Sequence, residues 1–119
     1  MIINFEEHTH ELNGYEERTL LPLLIKGLKT KVGKDKAVTN KQICKALTES
    51  GYKINDTRIR KMIQYIRVND LVPLLIATSK GYYLATEEEQ VEKYIRSLSE
   101  RLSAISKTRD ALIRQLKIS

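Results

Sequence analysis

The stretch from Ile54 to Asp70, Ile-Asn-Asp-Thr-Arg-Ile-Arg-Lys-Met-Ile-Gln-Tyr-Ile-Arg-Val-Asn-Asp, constrains the fold more than any other part of the chain. Asn55 is placed to cap a helix, and Ile54 and Ile59 have the spacing of a hydrophobic staple across its first turn. At about 100° per residue, Ile59, Met62, Ile63 and Ile66 share one face and Thr57, Arg60, Lys61 and Gln64 the opposite one, with Arg58, Tyr65 and Arg67 on the flanks. One side is a core seam. The other carries basic residues with no acid between Arg58 and Arg67, whereas a merely soluble surface mixes signs. Arg, Lys, Gln and Thr can bond to base edges and neutralise phosphate, as a helix in a DNA major groove must. A solvated cationic face is the plainer reading of the same residues.

With 119 residues, 41% of them hydrophobic, the chain has material for one core and an appendage. No apolar run nears the roughly 20 residues of a membrane span, and the start, Met-Ile-Ile-Asn-Phe-Glu-Glu, lacks a signal peptide's basic and apolar regions, so a cytoplasmic protein without membrane attachment is expected. The single cysteine, Cys44, falls in an expected helix and reads as a small, partly buried residue. The net charge of +6 divides into −4 over residues 1–18, +9 over 19–86 and +1 over 87–119. A central positive block is what a polyanionic partner selects. The acidic lead is either a solvated tail or a segment that folds back and masks part of the basic surface.

Within residues 1–18, His8 and His10 stand among acids, but no second ligand cluster closes a metal site, so no metal is expected. The apolar Ile2, Ile3 and Phe5 could dock on the body or on a second subunit. Thr19 is placed to cap a helix from Leu20 to about Lys31, with Pro22 in the first turn and Gly33 beyond the end. Its apolar stripe comprises Leu20, Leu21, Leu24, Ile25 and Leu28, and Leu23 points elsewhere. Ala37-Val38 is long enough for a short strand. Thr39-Asn-Lys-Gln42 is a capping box opening a helix from Asn40 to Ser50, which buries Ile43, Ala46 and Leu47 and stops at Gly51. Four residues then lead into the basic helix. After it, Leu71 to Thr78, the turn Ser79-Lys80-Gly81 and Tyr82 to Ala85 read as a β-hairpin, with Pro73 at a strand start or edge.

The order α, β, α, α, β, β over residues 19–86 resembles the winged helix-turn-helix fold. The run Asn55 to Arg67 together with Leu75-Ile-Ala-Thr-Ser-Lys-Gly-Tyr-Tyr-Leu-Ala-Thr86 is similar to small winged-helix proteins of phages and mobile elements. That resemblance implies a third helix in the major groove and a hairpin wing at the backbone or minor groove. Carried onto this chain, it makes Arg58, Arg60, Lys61, Gln64 and Arg67 the candidate DNA contacts on the third helix and Lys80 the contact on the wing. Thr57 and Tyr65 on the same helix and Lys41 on the second are further candidate DNA-binding residues.

Thr86 to Glu89 forms another capping box, opening a helix that can run nearly to Ser119. Along it, Val91, Ile95, Leu98, Leu102, Ile105, Arg109, Leu112 and Leu116 keep an unbroken 4-3 spacing. A heptad seam argues for a coiled coil and so for a homodimer through Val91, Ile95, Leu98, Leu102, Ile105, Leu112 and Leu116, with Arg109 fixing register or reaching solvent. The competing expectation is a helix folded back over the first one, using Leu23.

The expected fold class is mainly α with a small hairpin (α+β), comprising an acidic segment 1–18, a winged-helix domain 19–86 and a C-terminal helix 87–119. The expected function is dimeric double-stranded DNA binding, by a transcriptional regulator or a phage or mobile-element accessory factor, at an inverted or closely spaced repeat. A winged-helix module for protein contacts in a replication or regulatory assembly is the alternative. RNA or single-strand binding would need exposed aromatics, and only Tyr65 and one of Tyr82 or Tyr83 qualify. No phosphate loop, set nucleophile or metal cluster argues for an enzyme, a cofactor or a small-molecule substrate.

Overall fold

The computed structural model describes residues 11–118, so Ile2, Ile3, Phe5, His8 and His10 lie outside the described residues. The chain is mainly helical, with one two-stranded antiparallel hairpin and a long C-terminal helix. It divides into two compact units, one ending at Thr86 and the other beginning at Glu87.

In the first unit, α1 (Leu21–Leu28) continues from a π turn at Glu16–Leu20. The helical run starts at Gly14, earlier than Thr19 indicates, because Asn13 supplies the cap. The Glu16 N–H donates to Asn13 Oδ1 at 2.8 Å, and the Asn13 N–H donates back to Glu16 Oε1 at 2.9 Å. This reciprocal box satisfies two donors that the helix start would otherwise leave open. Thr19 lies inside the π turn. Glu16, Leu20, Leu24 and Leu28 are all buried, in steps of four. Each such step overshoots a 3.6-residue turn by about 40°, and the wider i→i+5 turn takes up part of that drift.

The helix stops at Leu28, short of the expected Lys31, because the next residues are drawn to the hairpin: the Leu84 N–H donates to the Lys31 carbonyl at 2.7 Å and the Gly33 N–H to the Leu84 carbonyl at 2.9 Å. A 3-10 turn at Lys34–Lys36 follows. The expected strand at Ala37-Val38 is a single bridge, in which Val38 exchanges both backbone hydrogen bonds with Tyr82.

Helix α2 (Asn40–Glu49) opens on the Thr39/Gln42 capping box, both halves of which are formed. It closes at Gly51, which sits at φ 91 while the Tyr52 N–H reaches the Leu47 carbonyl at 3.0 Å. That is the Schellman closure, and the left-handed position favours a residue without a Cβ.

Helix α3 (Asp56–Val68) is capped by the Asn55 side chain, which accepts from the Arg58 N–H at 2.8 Å. Ile59, Met62, Ile63 and Ile66 are all at most 2% exposed and form the centre of the core with Leu20, Leu24, Leu28, Ile43, Val72, Leu75 and Tyr82. At about 2 kcal/mol for each buried aliphatic side chain, this face holds α3 in place. The helix ends in a second Schellman closure, with the Leu71 N–H on the Ile66 carbonyl at 3.0 Å and Asp70 in the left-handed position at φ 57.

The hairpin pairs β1 (Leu75–Thr78) with β2 (Gly81–Leu84) in the register Leu75 to Leu84 through Thr78 to Gly81, leaving Ser79 and Lys80 as its tip. Strand β1 begins two residues after Pro73, where the missing donor does no harm. Gly81, at φ 120, lies so close to the Val38 and Thr39 backbone that a Cβ would stand 2.9 Å from the Thr39 nitrogen. The Tyr82 hydroxyl bonds to Asn40 Oδ1 at 2.6 Å and ties the hairpin to the start of α2.

The second unit is α4 (Glu88–Ile118), 31 residues long. The reach-back at its start runs from the Glu87 N–H to Gln90 Oε1 at 3.2 Å, one place later than the expected box. No residue of α4 is buried; Val91 is half-buried, and the apolar seam residues from Ile95 onward are exposed, from 40% at Leu98 to 77% at Leu116. No helix among the described residues is long and apolar enough to cross a membrane.

Candidate nucleic-acid interface

With four aliphatic residues of α3 locked into the core, the direction of every other side chain on the helix follows. Thr57, Arg60 and Gln64 are exposed and lie within about 60° of one another around the axis. Val68, 64% exposed, continues that line to the end of the helix. Lys61, Gln64, Tyr65, Val68 and Asn69 border a shallow recess there. Arg67 and Tyr65 are half-buried on the two flanks. Lys41 is exposed at the start of α2, and Lys80 is exposed at the hairpin tip, where its N–H donates to Thr78 Oγ1 at 3.2 Å.

Arg58 and Lys61 are placed differently from the sequence expectation. Both are ion-paired to Glu16, Arg58 Nε with Oε2 at 3.0 Å and Lys61 Nζ with Oε1 at 2.8 Å, and their side chains are only 28% and 20% exposed. The Glu16 side chain is 2% exposed. Arg58 is held further by an Nη1 hydrogen bond to the Lys53 carbonyl at 3.3 Å and by the Tyr15 ring, whose centroid is 5.4 Å from the guanidinium carbon. The Tyr15 hydroxyl in turn accepts from the Lys53 N–H at 2.9 Å and donates to the Lys53 carbonyl. Two of the candidate DNA contacts are therefore tied down inside the chain, and the cationic face available to a ligand narrows to the side carrying Arg60.

Burial pushes the Glu16 carboxyl up, but the Lys61 hydrogen bond, the Asn13 N–H and the charges of Lys61 and Arg58 outweigh it and hold the group below the ordinary carboxylate range. Glu16 is thus ionised at neutral pH and satisfied on both oxygens. Of the two readings of the acidic lead, this glutamate follows the fold-back one, reaching residues 42 and 45 positions downstream.

Sequence reasoning missed Glu16, Tyr15 and Val68. For Glu16 a local signal existed, since Asn13-Gly-Tyr-Glu16 is itself a capping-box pattern, although nothing local indicates its long-range partners. Val68 was passed over as apolar, yet its exposure leaves a side chain that can meet a thymine methyl.

Among the described residues, no cluster of three His, Cys, Asp or Glu side chains is placed to hold a metal ion. No family model, curated protein or solved structure matches the chain.

Proposed function

We propose that the chain is a winged-helix protein that binds double-stranded DNA, with α3 in the major groove, the hairpin as a short wing, and α4 joining two copies. The observation that carries the reading is the face of α3 opposite the core: Thr57, Arg60 and Gln64 stand exposed along a rigid helix of 13 residues, with a guanidinium, an amide and a hydroxyl facing outward. These groups discriminate base edges, Arg by bidentate bonds to guanine and Gln by bidentate bonds to adenine. Support also comes from the order of elements and from the net +9 of residues 19–86. Lys41 and Lys80 add phosphate contacts that fix register. The exposed seam of α4 supports the dimer, which would read two copies of a sequence.

Binding alone is the mechanism. If each unit neutralises about four phosphates, affinity falls on the order of 100-fold between 50 and 200 mM salt. Fluorescence anisotropy with a labelled random-sequence duplex at those two concentrations tests this. A steep loss with salt is expected, and an affinity indifferent to salt, or no binding at 50 mM, refutes it.

A further inference from the structure

We propose that α4 pairs with α4 of a second copy in antiparallel orientation, with Leu102 packed against Ile105 of the partner subunit at the centre. The inference rests on the dimer reading above and fixes the direction of the pairing.

Burial of the seam does not choose a direction. The spacing 4-3-4-3-4-3-4 from Val91 to Leu116 reads the same from either end, so all eight layers form whether the helices run parallel or antiparallel. Charge distinguishes the two. In a parallel pair, Arg109 meets the partner's Arg109 in one layer, two like charges at an a position with no acid across the seam. In the antiparallel pair, Arg109 faces Leu98 of the partner subunit, and the two arginine layers lie about 16 Å apart along the axis, beyond the screening length of roughly 8 Å.

The Arg109 side chain can take that place. Arg109 Nε and Nη2 bond to Asp110 Oδ1 at 3.2 and 3.0 Å, and Nη2 also reaches Ser106 Oγ at 3.4 Å. These bonds draw the guanidinium to one side and leave the aliphatic stem to cover an apolar neighbour.

The charges along α4 favour the same direction independently. Residues 87–102 hold five acids and three bases, whereas residues 103–119 hold one acid and four bases. Parallel pairing brings the two acidic starts, Glu87 to Glu92, together at one end. Antiparallel pairing brings that acidic start level with the basic end of the partner's helix, and also opposes the two helix dipoles.

One consequence bears on the DNA. The points where the two chains enter α4 stand at opposite ends of a rod about 46 Å long, equivalent to about 14 base pairs of B-DNA. Antiparallel pairing thus separates these two points by about the length of the rod, whereas parallel pairing sets them side by side.

Cysteine pairing tests the direction on the full chain with Cys44→Ser, so that only introduced thiols react. Ile95 and Leu112 are about 26 Å apart along one helix, too far for a disulfide within it. Chains carrying Ile95→Cys and chains carrying Leu112→Cys are oxidised separately and as a refolded mixture. A cross-linked dimer from the mixture only is expected. Cross-linking of each variant with itself overturns the antiparallel assignment.

Because a thiol weakens the seam, spin labels on Lys93, outside it, give a second reading. A distance of about 35 Å supports antiparallel pairing, and about 20 Å contradicts it. A monomeric mass overturns both this inference and the dimer. No DNA enters these measurements, so a chain that pairs antiparallel yet binds no duplex keeps the inference and refutes the DNA-binding reading alone.

Discussion

Replacing Glu16 with Gln removes one negative charge from the point where the start of the first helical run meets α3. The geometry fixes the size of the effect. Gln keeps the shape and one oxygen, which can still accept from the Asn13 N–H and from Lys61 Nζ at 2.8 Å, but its amide nitrogen then faces Arg58 Nε, 3.0 Å from the present Oε2, donor against donor. A hydrogen bond to a charged group contributes about 2 kcal/mol net and one to a neutral acceptor about half that, so losing one and weakening the other totals about 3 kcal/mol before solvation and about 2 kcal/mol after it. The cations are partly solvated and recover some of this, which keeps the cost below the 3–5 kcal/mol typical of a broken, fully buried pair. In a unit of this size, about 2 kcal/mol lowers Tm by about 10 °C. Thermal melting at pH 7 checks the figure.

Acid should erase the difference. The carboxyl titrates lower in the folded chain than in the unfolded one, so its contribution is complete above the ordinary carboxylate range and disappears as pH falls through the depressed folded value. Wild type and Glu16→Gln should therefore converge between pH 5 and the folded value. On the DNA-binding reading, the variant also gains duplex affinity well below its melting point, since it loosens two cations and raises the net charge by one. A melting temperature within 1 °C of wild type at pH 7, or a gap that stays constant into acid, would refute the assignment of Glu16 as the pin.

Two further substitutions test the backbone. Gly81→Ala forces a Cβ into the Val38–Thr39 backbone at a positive φ and should cost at least about 3 kcal/mol in chemical denaturation, with hairpin amide protection lost first. Asp70→Gly should have the opposite sign: it relieves a non-glycine residue at φ 57 in the Schellman closure of α3 and stabilises by about 0.5–1 kcal/mol in the same assay.

Much of this architecture can be read from local chemistry. The Thr39/Gln42 box, the Gly51 stop, the Asn55 cap and the buried face of α3 each depend on residues within about two helical turns of one another, and each is formed. The exposed stripe of α4 is equally visible, because a heptad needs no knowledge of its partner. What escaped was long-range. Thr19 before an apolar run imitates a helix start, but the chain continues helical back to Gly14 because Asn13 caps it and Glu16 finds cations more than 40 positions away. The early end of α1 and the lone bridge at Val38 have a similar origin, since both are set by hydrogen bonds from β2. The candidate interface was legible as a face but not in its detail. Helical angles placed Lys61 outward together with Arg60, and only the folded chain draws its ammonium back to Glu16.

The central claim concerns the outward face of α3, and the double variant Arg60→Ala/Gln64→Ala addresses it most directly, because both residues are exposed and neither appears among the ion pairs of the described residues. Equilibrium titration against duplex DNA at 100 mM salt should show at least a 10-fold loss of affinity, as expected for deleting a base-reading pair, while Tm moves by less than about 2 °C. Unchanged affinity, with the variant folded as wild type, would contradict the account.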